Sequence, residues 1–236
     1  MARALGVLGG TFDPIHGGHL DLGRAAQRAL GLTELLFVPA NIPPHRPQPI
    51  ASAFHRFAMV SLAVAGLEGW RASDLELVAG ARSFTTHTLA ELQQHGYGPL
   101  ELVFVVGADA FAEIDSWKDY PAILTRAHFA VVSRPGFSAD ALGQRLPQLA
   151  ARMVRQTFDL AFQSEPMIFL IEAPTADVSS TAIRQRRADG RSIAGLVPPM
   201  VQQHIEQHGL YASVRSDSYQ LGARSAAPAD RLHGQE

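Results

Sequence analysis

The chain has 236 residues, of which 47% are hydrophobic and 18% charged, with a formal net charge of −2. That apolar share excludes wholesale disorder and suits one α/β core, while the near-neutral balance excludes a global basic field for nucleic acid or an anionic membrane. With no cysteine, disulfide frameworks, thiolate catalysis and cysteine-ligated metals are excluded as well.

In chain order, Leu5 to Leu8 reads as a buried strand, Gly9 to Gly18 as a turn-rich loop, and His19 to Leu30 as a helix ended near Gly31. Glu34 to Val38 is a second apolar run closed by Pro39, with Pro43-Pro44 holding the next loop extended. Phe54 to Gly66 has helical spacing, Leu75 to Val78 reads as a strand and Thr85 to His95 as a helix. Glu101 to Val106 is a strong β run stopped by Gly107, Ala127 to Ser133 another stopped by Arg134-Pro135-Gly136, and Met167 to Glu172 the last. Ala139 to Gln163 reads as helical, a candidate sheet-covering insertion, and a further helix begins at Ser179-Ser180-Thr181.

Strands alternating with helices imply a single-domain α/β fold, Rossmann-like, with a doubly wound parallel sheet. Ligands of such sheets sit beyond the carboxyl ends of the strands, where the loops starting at Gly9, Pro39, Gly107, Arg134 and Pro174 gather. Residues 1–211 form the expected domain; 212–236 shifts to Ser, Arg, Ala, Asp and Gly and reads as a disordered tail. The run Ala4 to Leu8 is too short for a signal peptide, and no stretch reaches the roughly 18 apolar residues of a membrane span. A cytoplasmic protein without a membrane partner is the expectation.

The loop Gly9-Gly10-Thr11-Phe12-Asp13-Pro14-Ile15-His16-Gly17-Gly18-His19 is the most informative segment. Its glycines let the backbone approach a ligand, and the helix beginning there offers unpaired N–H groups to a phosphate. His16 and His19, separated by two glycines, can face one anion and donate to phosphate oxygens as charge builds in a transition state. Near the other end, Ser179-Ser180-Thr181-Ala182-Ile183-Arg184 sets donors at a helix start with an arginine one turn on. Alone, that segment is an ordinary helix cap followed by a surface arginine.

Taken together, these two motifs resemble the HxGH nucleotidyltransferases, here as His16-Gly17-Gly18-His19 and Ser179-Ser180-Thr181-Ala182-Ile183-Arg184. Between them, Pro39-Ala40-Asn41-Ile42-Pro43-Pro44-His45-Arg46 is similar to the Pro-x-x-x-Pro-Pro-His-Lys element of bacterial nicotinate-nucleotide adenylyltransferases, with Arg46 for the usual lysine. Ser83-Phe84-Thr85-Thr86-His87-Thr88-Leu89 matches that family's Ser-Tyr-Thr-x-Asp-Thr-Leu, with Phe84 for tyrosine and His87 for aspartate. The likeness runs from about Leu5 to Tyr211.

The resemblance implies adenylyl transfer from ATP to nicotinate mononucleotide, giving nicotinate adenine dinucleotide and pyrophosphate, with Mg2+ on the ATP oxygens. It implies that His16, His19 and Arg46 act on the reacting phosphates. Gly9, Gly10, Thr11, Phe12, Arg134, Ser179, Ser180 and Arg184 would bind ATP, while His45, Thr85, Asp109 and Trp117 would bind the pyridine nucleotide. Nicotinamide mononucleotide and phosphopantetheine are the alternative acceptors, and a non-catalytic nucleotide sensor is the alternative from another class. His204 and His208 are four apart on a helix, but lack the glutamate of the metalloprotease motif and a nearby third ligand. They read as a solvated helix face, and no protein metal site is expected; His55, His95 and His128 have no identifiable partner.

Overall fold

The computed structural model describes residues 4–43, 48–78, 80, 82–155 and 163–213. Seven strands form one parallel sheet: β1 (Leu5–Gly10), β2 (Glu34–Pro39), β3 (Trp70–Ala72), β4 (Leu102–Gly107), β5 (His128–Val132), β6 (Met153–Val154) and β7 (Ile168–Ile171). They lie in the order β3-β2-β1-β4-β5-β7-β6. The chain therefore builds outward in one direction through β2 and β3, and in the other from β4 onward. β1 and β4 flank the reversal, the place where loops leaving the carboxyl ends diverge and open a crevice.

The helices are α1 (Gly17–Leu30), α2 (Ala53–Val64), α3 (Leu75–Val78), α4 (Thr85–Gln94), α5 (Ala108–Phe111), α6 (Leu142–Arg145), α7 (Ser180–Ala188) and α8 (Pro199–Gln207). None among the described residues is long and apolar enough to cross a membrane. Side chains alternate across each strand, so each face of the sheet has its own core. Leu35, Phe37, Val103, Val105 and Phe169 pack with Leu22 and Ala26 of α1, Met59 and Val60 of α2, Ile183 of α7 and Ile205 of α8. Val7, Leu36, Phe104, Val131 and Leu170 pack on the opposite face with Leu89 and Leu92 of α4 and Phe111 of α5. A parallel sheet covered on both faces needs such near-continuous apolar strands, each large buried side chain contributing about 1.5–3 kcal/mol.

Two expected elements differ. Leu75–Val78 is the short helix α3, not a strand: Ser73 Oγ accepts from Leu75 N and Asp74 O from Leu77 N, which turns the chain. The edge position belongs to Trp70–Ala72, paired with Leu35–Phe37. The expected long helix over 139–163 is also absent as such. After α6, Pro147 follows a Leu146 held at φ −125° and ψ 64°, because proline bars the residue before it from helical geometry. A 3-10 turn over Pro147–Arg152 then feeds the two-residue strand β6. Residues 156–162 and 214–236 lie outside the described residues, and with them the end of that segment and nearly all of the expected tail.

Candidate active site at the carboxyl end of the first strand

The loop after β1 is fixed by the contacts of Asp13 and Arg56. Asp13, 4% exposed, is its anchor. The carboxylate accepts Ile50 N (2.8 Å) on Oδ2, and Ala51 N (3.0 Å) with the Tyr211 hydroxyl (2.7 Å) on Oδ1. Burial, then the Asp13 charge beside it, raises the Tyr211 phenol far above its ordinary pKa, so it stays a donor. The Arg56 guanidinium, 1% exposed, donates to the carbonyls of Thr11 (2.8 Å), Ala40, Ala51 (3.3 Å) and Asn41 (3.2 Å). One buried cation thus ties together the loops after β1 and β2.

At the end of this loop, His16 caps α1 in extended geometry at φ −150°. The His16 and His19 rings stack with centroids 3.8 Å apart and an interplanar angle of 28°. His16 N donates to His19 Nδ1 at 3.3 Å. A neutral imidazole that accepts on Nδ1 carries its proton on Nε2, so His19 is held as an Nε2–H donor. Burial, with the Arg134 guanidinium second, pushes His16 down to about 4, so its ring is neutral at neutral pH. Among the described residues His16 Nδ1 is buried without a hydrogen-bond partner, and leaving such an atom unpaired costs about 1–3 kcal/mol unless a ligand supplies one.

Phe12 differs from the other loop residues. It is fully buried at φ 49°, with its ring edge-on to His19 at 5.0 Å. Its side chain is therefore core that supports His19. Gly9 and Gly10, expected in the loop, are instead the last two residues of β1, paired with Val38 and Pro39, and Thr11 follows them into this turn.

The second motif meets the first directly. Ser179 caps α7, its hydroxyl accepting from Ala182 N at 3.1 Å. Ser180 Oγ donates to Pro14 O (2.9 Å) and Arg184 Nη1 to Asp13 O (2.8 Å). Arg184 Nη2 reaches Thr181 Oγ1 at 3.2 Å. Ala176 N donates to Asp21 Oδ2 of α1 at 3.0 Å, closing the seam from the other side. The N-termini of α1 and α7, two ends that favour anions, are thereby brought to one place.

Across the reversal in the sheet, Gly107 ends β4 and begins the turn to Asp109. A Cβ at Gly107 would lie 2.5 Å from Asp109 Oδ1 and 2.7 Å from Arg134 Cδ, so its missing side chain lets the two cross. Asp109 and Arg134 are both half-buried here, and Arg134 is near enough to bear on His16. Thr85 is the first residue of α4 rather than its cap, which is Phe84. Thr86 Oγ1 donates to Asp119 Oδ2 at 2.9 Å, bringing the start of α4 to the segment holding Trp117. Trp117 is half-buried, edge-on to Phe104 at 6.0 Å. Two of the three departures from the family pattern, Phe84 and His87, are neighbours: Lys118 Nζ sits over the Phe84 ring (4.6 Å) and 2.9 Å from His87 Nε2. His45 and Arg46 lie outside the described residues.

Sequence reasoning did not single out Asp13, Arg56 or Tyr211. Arg56 did leave a signal: it shares the buried face of α2 with Met59, Val60 and Ala63, an arginine where the spacing requires an apolar residue. Tyr211 marks only the end of the resemblance, and nothing in its spacing points to Asp13. The reading of His204 and His208 as an isolated solvated pair is corrected. His55 of α2 packs against both, because α2 and α8 lie side by side, a pairing invisible at a separation of 149 residues.

A cytidylyltransferase-like family model matches residues 7–186. A protein of Desulfatibacillum aliphaticivorans, named a probable nicotinate-nucleotide adenylyltransferase, is 39% identical over 216 residues, covering 88% of this chain and 99% of its own length. A protein of the same name from Escherichia coli O17:K52:H18 is 36% identical over 212 residues, covering 89% and 100%. Among solved structures, Plasmodium falciparum nicotinic acid mononucleotide adenylyltransferase complexed with APC aligns with a TM-score of 0.66 at 17% identity, over 89% of this chain and 97% of that one. The same enzyme complexed with NaAD gives 0.65 at 18% identity, over 89% and 97%. At that identity the structural likeness is one of fold.

Proposed function

From the premise that the chain belongs to the cytidylyltransferase-like family, and within it to the nicotinate-nucleotide adenylyltransferases, we propose that it joins ATP and nicotinate mononucleotide into nicotinate adenine dinucleotide, releasing pyrophosphate. The observation that carries the ATP half is the docking of Ser180 and Arg184 onto Pro14 and Asp13, beside the stacked His16 and His19. Residues 1–211 form the catalytic unit, and the cytoplasm is where it works.

An oxygen of the acceptor phosphate attacks the α-phosphorus of ATP in line, and the bond from that phosphorus to the bridging oxygen of pyrophosphate breaks. A phosphate monoester is already anionic near neutral pH, so no protein base is required; positioning and charge stabilisation are the enzyme's task. His19, fixed as an Nε2–H donor, and His16, with its unpartnered Nδ1, contact the transferring phosphate. Ser180 and Arg184, with the N–H groups at the start of α7, receive the departing pyrophosphate. Gly9, Gly10, Thr11 and the main chain of Phe12 line the ATP, Ser179, which caps α7, binds it at that helix end, and Arg134 approaches the phosphates. Arg46 neutralises the acceptor phosphate and His45 assists it. Thr85 and Trp117 take the pyridine ring, and Asp109 a ribose hydroxyl, which suits an indole face and a carboxylate.

Mg2+ accompanies ATP as its cofactor, neutralising phosphate charge. Both oxygens of Asp13 are already taken by main-chain and phenol donors, and no group of three acidic ligands gathers among the described residues. That donor set fits an ion held chiefly through phosphate oxygens and water. The test is pyrophosphate release from MgATP with nicotinate mononucleotide, nicotinamide mononucleotide, phosphopantetheine or no acceptor. Release with the acid alone is expected. Preference for another acceptor would retain the chemistry and overturn the substrate, and no release despite ATP binding would support a sensor.

A further inference from the structure

Where the start of α2 meets the end of α8, three histidines converge. His55 stands in the first turn of α2, His204 in the last turn of α8, and His208 caps that helix. His55 Nδ1 lies 3.1 Å from His204 Nε2, and one ring nitrogen from each of the three falls within 4.8 Å of the others. The ring centroids are 4.4 to 5.2 Å apart. His55 and His204 are half-buried and His208 is exposed. Burial first, and then the neighbouring imidazoles of His208 and His55, hold His204 below its ordinary pKa. Neutral imidazole is the form that ligates metals, and His204 is held toward it.

We propose that His55, His204 and His208 form a binding site for a divalent transition-metal ion of the Zn2+ class, with solvent in the fourth position. Three imidazoles around tetrahedral zinc, at Zn–N distances of about 2.0–2.1 Å, would place their nitrogens about 3.3 Å apart. The His55–His204 pair is close to that already, and the exposed His208 can swing to complete the set. Three nitrogen ligands without a carboxylate disfavour Mg2+ and Ca2+. The ion would staple α2 to α8. That matters because the same two elements lead into the contacts on Asp13: Ile50 and Ala51 precede α2, and Tyr211 follows α8. The metal and the Asp13 carboxylate would each join the start of α2 to the end of α8.

The experiment uses the full chain without a histidine tag, in buffer containing excess Mg2+. Zn2+ uptake is measured by calorimetry, and Co2+ is added as a spectroscopic probe. The expected result is one equivalent of Zn2+, a rise in melting temperature on its addition, and the visible absorption of four-coordinate Co2+. His55→Ala, His204→Ala and His208→Asn should each weaken Zn2+ binding at least about tenfold and abolish the cobalt band, while melting like the wild type without metal. His95→Ala, an exposed control, should bind as the wild type does. No uptake by the wild type, or uptake that survives in the three variants, would overturn the site and leave the trio a hydrogen-bonded cluster.

Discussion

Arg184 Nη1 donates to the main-chain oxygen of Asp13 at 2.8 Å, joining residues 171 positions apart in the sequence. The same guanidinium stands 4.0 Å from the Asp13 carboxylate, already occupied by two amides and a phenol. Arg184 is thereby aimed rather than neutralised, a positive group held at the mouth of the phosphate loop. Arg184→Lys keeps the charge but not the planar fork. It should lower kcat by about 10²-fold or more, the scale of losing a preorganised donor. Melting should fall only slightly. Steady-state kinetics beside a thermal melt check this, and a lysine variant with full turnover would remove Arg184 from the site.

The Asp13 anchor has its own signature. Tyr211→Phe removes one buried hydrogen bond to a carboxylate, worth about 1.5–3 kcal/mol, without making a large cavity. Urea denaturation should show a loss of that size. An unchanged midpoint would mean that Asp13 is held by Ile50 and Ala51 alone.

Gly17 and Gly18 should respond differently to one methyl group. A Cβ on Gly17 meets nothing closer than 3.8 Å, whereas on Gly18 it lies 3.2 Å from the His16 ring and from Ala176 O. Gly17→Ala should retain turnover within a few-fold. Gly18→Ala should lose on the order of 10²-fold, because it moves His16 or opens the seam to α7. Similar losses in both would show that the loop tolerates no side chain at all.

Acid should weaken the fold through two buried histidines. His16 and His128 both titrate near 4 in the folded chain, mainly because burial disfavours the cation, against an ordinary value of 6.5. A folded pKa below the unfolded one gives stability present above 6.5 and lost as pH falls toward 4, at up to about 1.4 kcal/mol per pH unit for each. Urea midpoints between pH 7 and pH 4 measure this. His128→Asn, which keeps an acceptor for Met167 N, should make the slope shallower; an identical slope would contradict the assignment.

Trp117→Ala should raise KM for the pyridine nucleotide with little change for ATP. An unchanged KM, measured with ATP saturating, would return Trp117 to a purely packing role against Phe104.

Legibility from the sequence followed the physics of each element. The apolar runs at Leu5, Glu34, Glu101, Ala127 and Met167 became strands because a sheet covered on both faces demands unbroken apolar stretches. Trp70–Ala72 escaped because an edge strand of three residues carries too little pattern, and Leu75–Val78 misled because four residues fit either period. The loop His16–His19 and the start of α7 were readable as local motifs. Their junction through Asp13 and Pro14, the reach of Arg56 across four carbonyls, and the approach of His55 to His204 are tertiary. Only packing of distant helices creates them, and no spacing along the chain encodes it.

The account rests most directly on His19 acting as charge builds on the transferring phosphate, so the deciding measurement is His19→Ala, with kcat and the ATP dissociation constant determined on the same preparation. The expected result is a fall in kcat of about 10²–10³-fold with ATP affinity nearly unchanged, because the contact strengthens in the transition state. Equal losses in turnover and ATP affinity would make His19 a ground-state binding residue and contradict the mechanism.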